Sequence, residues 1–370
     1  MKVLFCTNVF QNITNGPAKF AHIALQVKEF DSDIEVRVLT EDTGGDIDNR
    51  VYKLHLRIPS FFNKASQFIR MFAYHKKAMK IHESEYPFDI LIYNHAMIGL
   101  WSAFRFKNTW GFINDDNNAS ATASKLFRTL SFSSYFVFHY FEKLSVRYLQ
   151  KIIVNSNYLR NFIIKQYPAA KNKTVVFYKG IEFTPLHEIK EKEKRKIPEI
   201  LFVKNDYERG GIFQLIEAMK KLPMQLKLIV IGPHAYVKPR LETACSHSNV
   251  MLHFLGIQSQ KEIYNHMQMA DVFCVPSVQE GFGVANIEAM ALGCSVVTTS
   301  AGGIPEVMLS EMNGWMTEPG NIDQLVAALG HCLSDGQEKM RRAKNGLLRS
   351  QEFTKEKTLK RFSELLHDNL

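Results

Sequence analysis

Apolar residues recur along this chain in two rhythms. Short unbroken runs bounded by turn residues alternate with longer stretches whose apolar positions return every three to four residues. These are the patterns of buried strands and of amphipathic helices. KVLFCT (Lys2–Thr7) is such a run, and Gly16-Pro17 then opens a helical stretch with proline in its first turn. IEVRVLT (Ile34–Thr40) alternates like a strand and ends in the turn-rich EDTGGD. DILIYN (Asp89–Asn94), KIIVNS (Lys151–Ser156) and TVVFYKG (Thr174–Gly180) are further buried-strand candidates. This βαβα order predicts a parallel sheet with helices on both faces.

The rhythm then breaks. HEIKEKEKRKIP (187–198) is almost all charge and ends in proline, which predicts a solvated linker. After it the pattern restarts with EILFVKN (Glu199–Asn205), a helix through LIEAMKKL, and LKLIVIG (Leu226–Gly232). ADVFCVP (Ala270–Pro276) and CSVVTTS (Cys294–Ser300) follow, and FTKEKTLKRFSELLH (Phe353–His367) closes the chain as an amphipathic helix. The expected domains are therefore 1–186 and 199–352, two Rossmann-like halves on either side of the linker. Ligands in such sheets bind at the carboxyl ends of the strands, so a cleft between the halves is the expected site.

Composition narrows the class. With 46% apolar and 22% charged residues in 370, the chain is an ordinary globular protein and not a disordered, collagenous or coiled-coil one. The net charge of +9 sits in the first half: residues 1–185 carry 24 Lys+Arg against 15 Asp+Glu, while 186–370 carry 22 of each. A basic half suggests an anionic surface or acceptor as partner. The five cysteines form no C-x-x-C pair, which fits a reducing compartment. MKVLFCTNVF lacks an h-region and a cleavage site and reads as a first strand, so a cytoplasmic location is expected.

The chemistry concentrates in PSVQEGFGVANIEAMALGCSVVTTSAGGIPEVM (Pro276–Met308). Pro276 ends a strand; Glu280 sits in a loop where Gly281 and Gly283 flank Phe282; a helix starts near Val284, carries Glu288 early, and stops at Gly293. Strand, glycine loop and helix N-terminus together offer backbone N–H groups to a phosphate. A carboxylate beside a phosphate would be repelled, so Glu280 and Glu288 must face neutral hydroxyls, and those of sugar and ribose fit. A second loop, Ala301-Gly302-Gly303, with Glu306 opening the next helix, repeats the arrangement.

EGFGVANIE resembles the E-x7-E pattern of the retaining glycosyltransferases of family 4, and EAMALGCSVV and AGGIPEV continue that likeness. It extends over 254–277 and 313–321, and more loosely to IIVNSNYLRNFI and VVFYKGIE in the first half. The resemblance implies an α/β, GT-B fold: two Rossmann-like domains facing across a cleft, with the C-terminal helix, 353–370, packing back on the first. It implies hexosyl transfer from a nucleotide sugar, with retention, to a hydroxyl of a glycan or lipid-linked acceptor, as in making surface polysaccharide or glycolipid. No metal and no cofactor are expected beyond the nucleotide sugar, with UDP favoured over GDP.

Carried onto this chain, Glu280 contacts the donor sugar, the backbone of Gly281, Phe282, Gly283 and Val284 follows sugar and diphosphate, and Glu288 holds the ribose. Gly232 borders the base. In FVKNDYERGG (Phe202–Gly211), Lys204 stands where the family usually has glycine, and Gly210 where lysine is usual. Arg209 remains as a diphosphate cation, with Lys204 as a replacement for the other. In the first half, Gly16 is the one glycine of a usual pair. His95 is the candidate histidine at the donor sugar, because WGFINDDNN places Asn114, Asp115 and Asp116 where the family's histidine stands; these three are expected on the acceptor side.

RIPSFFNKASQFIRMFAYHKKAMK (57–80) is basic without an acid, and puts Phe61, Ala65, Phe68, Ile69 and Phe72 on one helical face. It reads either as a helix on an anionic membrane surface or as a helix packed on the sheet. A peripheral location at the inner face of the membrane would follow from the first. No recognition motif accompanies the charge, so nucleic acid is not an expected partner. A catalytically degenerate protein that binds a nucleotide sugar or a partner without turnover is the alternative, motivated by Lys204 and Gly210.

Overall fold

The computed structural model describes residues 1–10, 16–41, 48–56, 66–115, 132–189 and 195–368. The chain divides into two compact units: Met1–Lys179 with Lys355–Leu370, and Gly180–Thr354.

The first unit is built on a seven-stranded sheet, with β1 (Lys2–Thr7), β2 (Glu35–Thr40), β3 (Val51–Lys53), β4 (Ile90–Tyr93), β5 (Thr109–Ile113), β6 (Lys151–Val154) and β7 (Thr174–Val176). Its strand order is β3-β2-β1-β4-β5-β6-β7, and every ladder is parallel. β4 and β5 are buried at every position, as strands covered by helices on both faces must be. One face is an aromatic core in which Phe20 packs on Phe5, Phe112, Phe177 and Phe362 at centroid distances of 5.1–5.5 Å. Phe362 belongs to the C-terminal helix Lys355–His367, which joins this core with Leu359 and Leu366. The same helix bonds to the first unit through Ser363 and His367 on Asp31 and through Lys355 Nζ on Gln26 Oε1 at 3.0 Å.

The second unit carries β8 (Glu199–Val203), β9 (Leu226–Ile231), β10 (Val250–Gly256), β11 (Val272–Val275), β12 (Val296–Thr299) and β13 (Trp315–Thr317) in the order β10-β9-β8-β11-β12-β13, again all parallel. Each sheet therefore reverses its direction of growth once, between β1 and β4 in the first and between β8 and β11 in the second. Connections leave opposite ways at such a pair, so the carboxyl ends of the two strands flank an open crevice.

The division of the chain falls at Gly180 and Lys355, not at 187 and 353. Residues 180–189 already belong to the second unit: Ile181 N–H bonds Phe353 O, Leu186 N–H bonds Ala291 O, both at 2.9 Å, and Ile189 lies against Gly293. The charged stretch after it is no free linker where it is described. Arg195 Nη1 donates to Met269 O at 2.7 Å and pairs with Asp271 at 3.3 Å, which ties it to the sheet.

All five cysteines are buried thiols, and none is in a disulfide. Among the described residues no helix is long and apolar enough to cross a membrane. The basic face expected over 57–80 is only partly an open one. Helix Ser66–Ser84 packs Phe68 on Phe141 at 4.5 Å and buries Met71, Tyr74, Ala78 and Ile81, leaving Phe72 exposed; Phe61 and Ala65 lie outside the described residues.

Candidate functional site

In the second unit, β8 and β11 are neighbours in the sheet, so the loops that leave their carboxyl ends must lie side by side. They touch through backbone: Val278 N–H donates to Arg209 O at 2.9 Å. Gly211 makes the approach possible. It has φ +76°, and a Cβ there would stand 2.1 Å from Pro276 O.

Across this junction Lys204 Nζ donates to Glu280 Oε2. The two side chains are 23% and 20% exposed, so the pair is reachable from solvent and not a core contact. The two departures from the family pattern are linked sterically: a Cβ on residue 210 would sit 3.1 Å from Lys204 Cγ and 2.6 Å from the Phe202 ring. Glycine at 210 leaves the room that the Lys204 stem occupies. Arg209 has its Nε 4.0 Å from Asp206 Oδ2, on the same loop as Lys204.

Gly283, at φ +94°, is the left-handed cap that starts helix Val284–Ala291, and Glu280 O accepts from Gly303 N–H at 3.2 Å. The two glycine loops that the sequence singles out are thereby joined. Glu288 is nearly fully buried in that helix and accepts from Tyr264 OH at 3.1 Å. Burial, and then the Glu288 charge, push the Tyr264 phenol far above its ordinary value. Gly232, at φ +114°, packs on the backbone of Lys204, where a Cβ would meet Lys204 C at 2.7 Å.

Ser277 Oγ and Asn286 Oδ1, both buried at this junction, have no hydrogen-bond partner among the described residues. Buried polar atoms in native proteins are nearly always satisfied, by protein, by water or by a bound molecule. The structure thus brings Lys204, Arg209, Gly232, Glu280, Gly281, Phe282, Gly283, Val284 and Glu288 to one strand-end junction. Tyr264 joins them without any signal in the linear pattern, and Ser277 and Asn286 lie within the Pro276–Met308 segment without having been singled out. Tyr264 lies on helix Gln260–Met269, remote in sequence from the loop it serves.

The other sequence candidates belong to the first unit. Gly16 starts helix Gly16–Leu25 after β1. His95 is exposed at the carboxyl end of β4. Asn114, at the end of β5, is engaged on both sides: its Nδ2 donates to Asn94 O at 2.8 Å, and its Oδ1 accepts from Lys179 Nζ at 2.6 Å. Asp115 is exposed, and Asp116 lies outside the described residues. Lys179, unmarked by the sequence, is buried with its ammonium 4.6 Å from the Phe112 ring centre, and desolvation pushes it down to about 7.

Comparison with known proteins decides the family. Residues 185–349 match the family model for glycosyl transferases group 1, and residues 21–184 match the model for Glycosyltransferase Family 4. The chain belongs to the GT-B glycosyltransferases. An uncharacterized glycosyltransferase of Methanocaldococcus jannaschii is 27% identical over 59% of this chain and 59% of its own length. The lipopolysaccharide 1,2-N-acetylglucosaminetransferase of Salmonella typhimurium is 27% identical over 58% of this chain and 61% of its own. In both cases the match spans less than two thirds of the relative. Among solved structures, sucrose-phosphate synthase from Thermosynechococcus elongatus has a TM-score of 0.77 at 18% identity, covering 100% of this chain and 98% of that one. Anabaena HepE, solved in complex with UDP-glucose, has a TM-score of 0.73 at 20% identity and covers both chains fully. At these identities the likeness is one of fold, and the fold is GT-B.

Proposed function

We propose that this chain is a retaining glycosyltransferase that moves a hexosyl group from a UDP-sugar to a hydroxyl of a glycan or lipid-linked acceptor. The observation that carries the reading is the Lys204–Glu280 pair at the β8/β11 strand ends, beside two orphaned polar atoms. A nucleotide sugar offers that junction what it lacks. Its diphosphate takes the Lys204 and Arg209 cations, its sugar hydroxyls take Glu280, and its ribose takes Glu288.

In this reading the acceptor oxygen bonds to the anomeric carbon as the bond to the diphosphate oxygen breaks on the same face. The acceptor's proton leaves with the diphosphate. The protein supplies position and charge: negative charge grows on the leaving group, and preorganised cations near it stabilise the transition state more than the ground state. No side-chain nucleophile and no metal are assigned a step. HepE's complexes with UDP and UDP-glucose support UDP as the nucleotide of the donor, and the Salmonella relative, named for transfer to lipopolysaccharide, supports a cell-surface glycan as product; we place the transfer at the cytoplasmic face of the membrane.

The same ion pair favours one rival. If Glu280 holds Lys204 permanently, the clamp is spent and the protein binds without turnover. Calorimetry with UDP and GDP in the absence of metal, followed by assay of UDP-sugar turnover in wild type and Glu280→Ala, separates the two. Binding of UDP with turnover that Glu280→Ala abolishes supports transfer. Binding without turnover in wild type leaves the degenerate reading, and binding of neither nucleotide overturns both.

A further inference from the structure

Of the carboxylates between Pro276 and Met308, Glu288 is the buried one, with 4% of its surface exposed. A buried carboxylate is costly unless hydrogen-bond donors face it. One such donor comes from outside that segment: Tyr264 OH donates to Glu288 Oε1 at 3.1 Å. Helix Gln260–Met269, which carries Tyr264, connects β10 to β11 and packs on helix Val284–Ala291. A capping box between Ser259 and Glu262 fixes where it starts, and Ile263 and Met267 anchor its buried side.

The phenol is held in place. The Phe183 ring lies against that of Tyr264, with centroids 4.4 Å apart. It is also a permanent donor, because burial, and then the charges of Glu288 and Glu182, keep its proton far above the ordinary tyrosine range. A carboxylate without support turns easily about its last bond, where the torsional wells are broad. Held at one oxygen by a fixed phenol, Glu288 points its acceptor sites in set directions. An acceptor ordered before its ligand arrives spares the cost of ordering it on binding. The hydroxyls of a ribose, fixed on a ring, gain most from such an acceptor, and a sugar that lacks the matching hydroxyl gains nothing.

We propose that Tyr264 is a positioning residue for the donor nucleotide, one that sets the preference for ribose over deoxyribose through Glu288. Tyr264 itself does not touch the sugar. The inference rests on the nucleotide-sugar reading. It adds that the choice of a ribonucleotide is governed from helix Gln260–Met269, outside the segment that holds both glutamates.

Calorimetry on the full chain tests it, with UDP, 2′-deoxy-UDP and 3′-deoxy-UDP as probes, in wild type, Tyr264→Phe and Glu288→Gln. Wild type is expected to bind UDP roughly tenfold or more tightly than at least one of the deoxy nucleotides, the worth of one hydrogen bond to a charged group. Tyr264→Phe removes one oxygen and keeps the ring, so the fold is retained. It is expected to weaken UDP roughly tenfold and to leave that deoxy nucleotide nearly unchanged, so that the preference falls toward that of Glu288→Gln. A tyrosine with a merely structural role would weaken all three nucleotides alike. Such uniform weakening overturns the proposal, as does a preference unchanged by Tyr264→Phe or equal binding of all three nucleotides by wild type. In each of those cases UDP still binds and the donor reading stands. Binding of none of the three by wild type overturns the donor reading, and the proposal with it.

Discussion

Lys204 and Glu280 lie 76 positions apart and meet as an ion pair, because β8 and β11 are adjacent strands whose chains both end at the same edge of the sheet. Partly exposed pairs of this kind contribute about 1 kcal/mol or less to stability. The function of the pair, and not the fold, is therefore what its removal tests. Lys204→Met is expected to unfold at nearly the wild-type urea midpoint and to lower kcat for sugar transfer about 100- to 1,000-fold, the usual cost of one transition-state charge contact. Loss of folding in place of loss of rate would reassign the pair to structure.

Gly210 and Lys204 compete for one space. Gly210→Lys alone is expected to bring the new stem against Lys204 Cγ and the Phe202 ring, and to lower stability by about 1–3 kcal/mol, as overpacking does. Combining it with Lys204→Gly clears the space and moves the cation to the position usual in the family. Recovery of both the urea midpoint and UDP affinity in the double variant is the expected result, and additive losses would show that the two sites are independent.

Gly211 and Gly320 both have φ near +80°, but only one is crowded. A Cβ at 211 lies 2.1 Å from Pro276 O, whereas nothing stands within 4 Å of one at 320. Gly320→Ala is expected to cost about 1 kcal/mol for the left-handed backbone alone. Gly211→Ala should cost several times more and should also separate the Lys204 and Glu280 loops, seen as lost UDP binding in the fraction that remains folded. Equal urea midpoints for the two variants would contradict the close approach.

Lys179 links stability to pH. Burial lowers it from 10.5 to about 7, while the unfolded chain keeps the ordinary value. Between those limits the unfolded chain holds a proton that the folded chain lacks, so stability rises with pH from about 7 to about 10.5. Below the window both states are protonated and the full penalty, up to about 5 kcal/mol, applies; above it both are neutral and the penalty is gone. Urea titrations at neutral and alkaline pH are expected to show this rise in wild type and a flatter dependence in Lys179→Met. An identical slope in both would mean that another group carries the effect.

The core strands were legible in the sequence because burial on both faces requires unbroken apolar runs. β1 occupies Lys2–Thr7 as the pattern predicts, and β2, β4, β6, β8, β9, β11 and β12 fall within their expected runs. β7 falls within its expected run too, whereas β3, β5, β10 and β13 were not read, β5 although it is buried at every position. β3 is half-buried throughout and β10 mixes exposed with buried positions, so neither leaves a continuous apolar trace. Glu280, Glu288 and the loop glycines stood out because they are close together in sequence. Tyr264 and Lys179 did not, because their partners are remote.

The sequence by itself determined the class of this protein: two α/β halves, parallel sheets, and one glycine-and-glutamate segment, all set by periodicity and spacing within a few tens of residues. Only the tertiary structure decided which side chains share a site. Strand order brings residues 204 and 280 to one edge and residues 7 and 94 to another, and carries Phe362 back to the core that begins with Phe5. Strand order is fixed by how the apolar faces of all the elements are buried together, a condition on the whole chain that no local pattern contains.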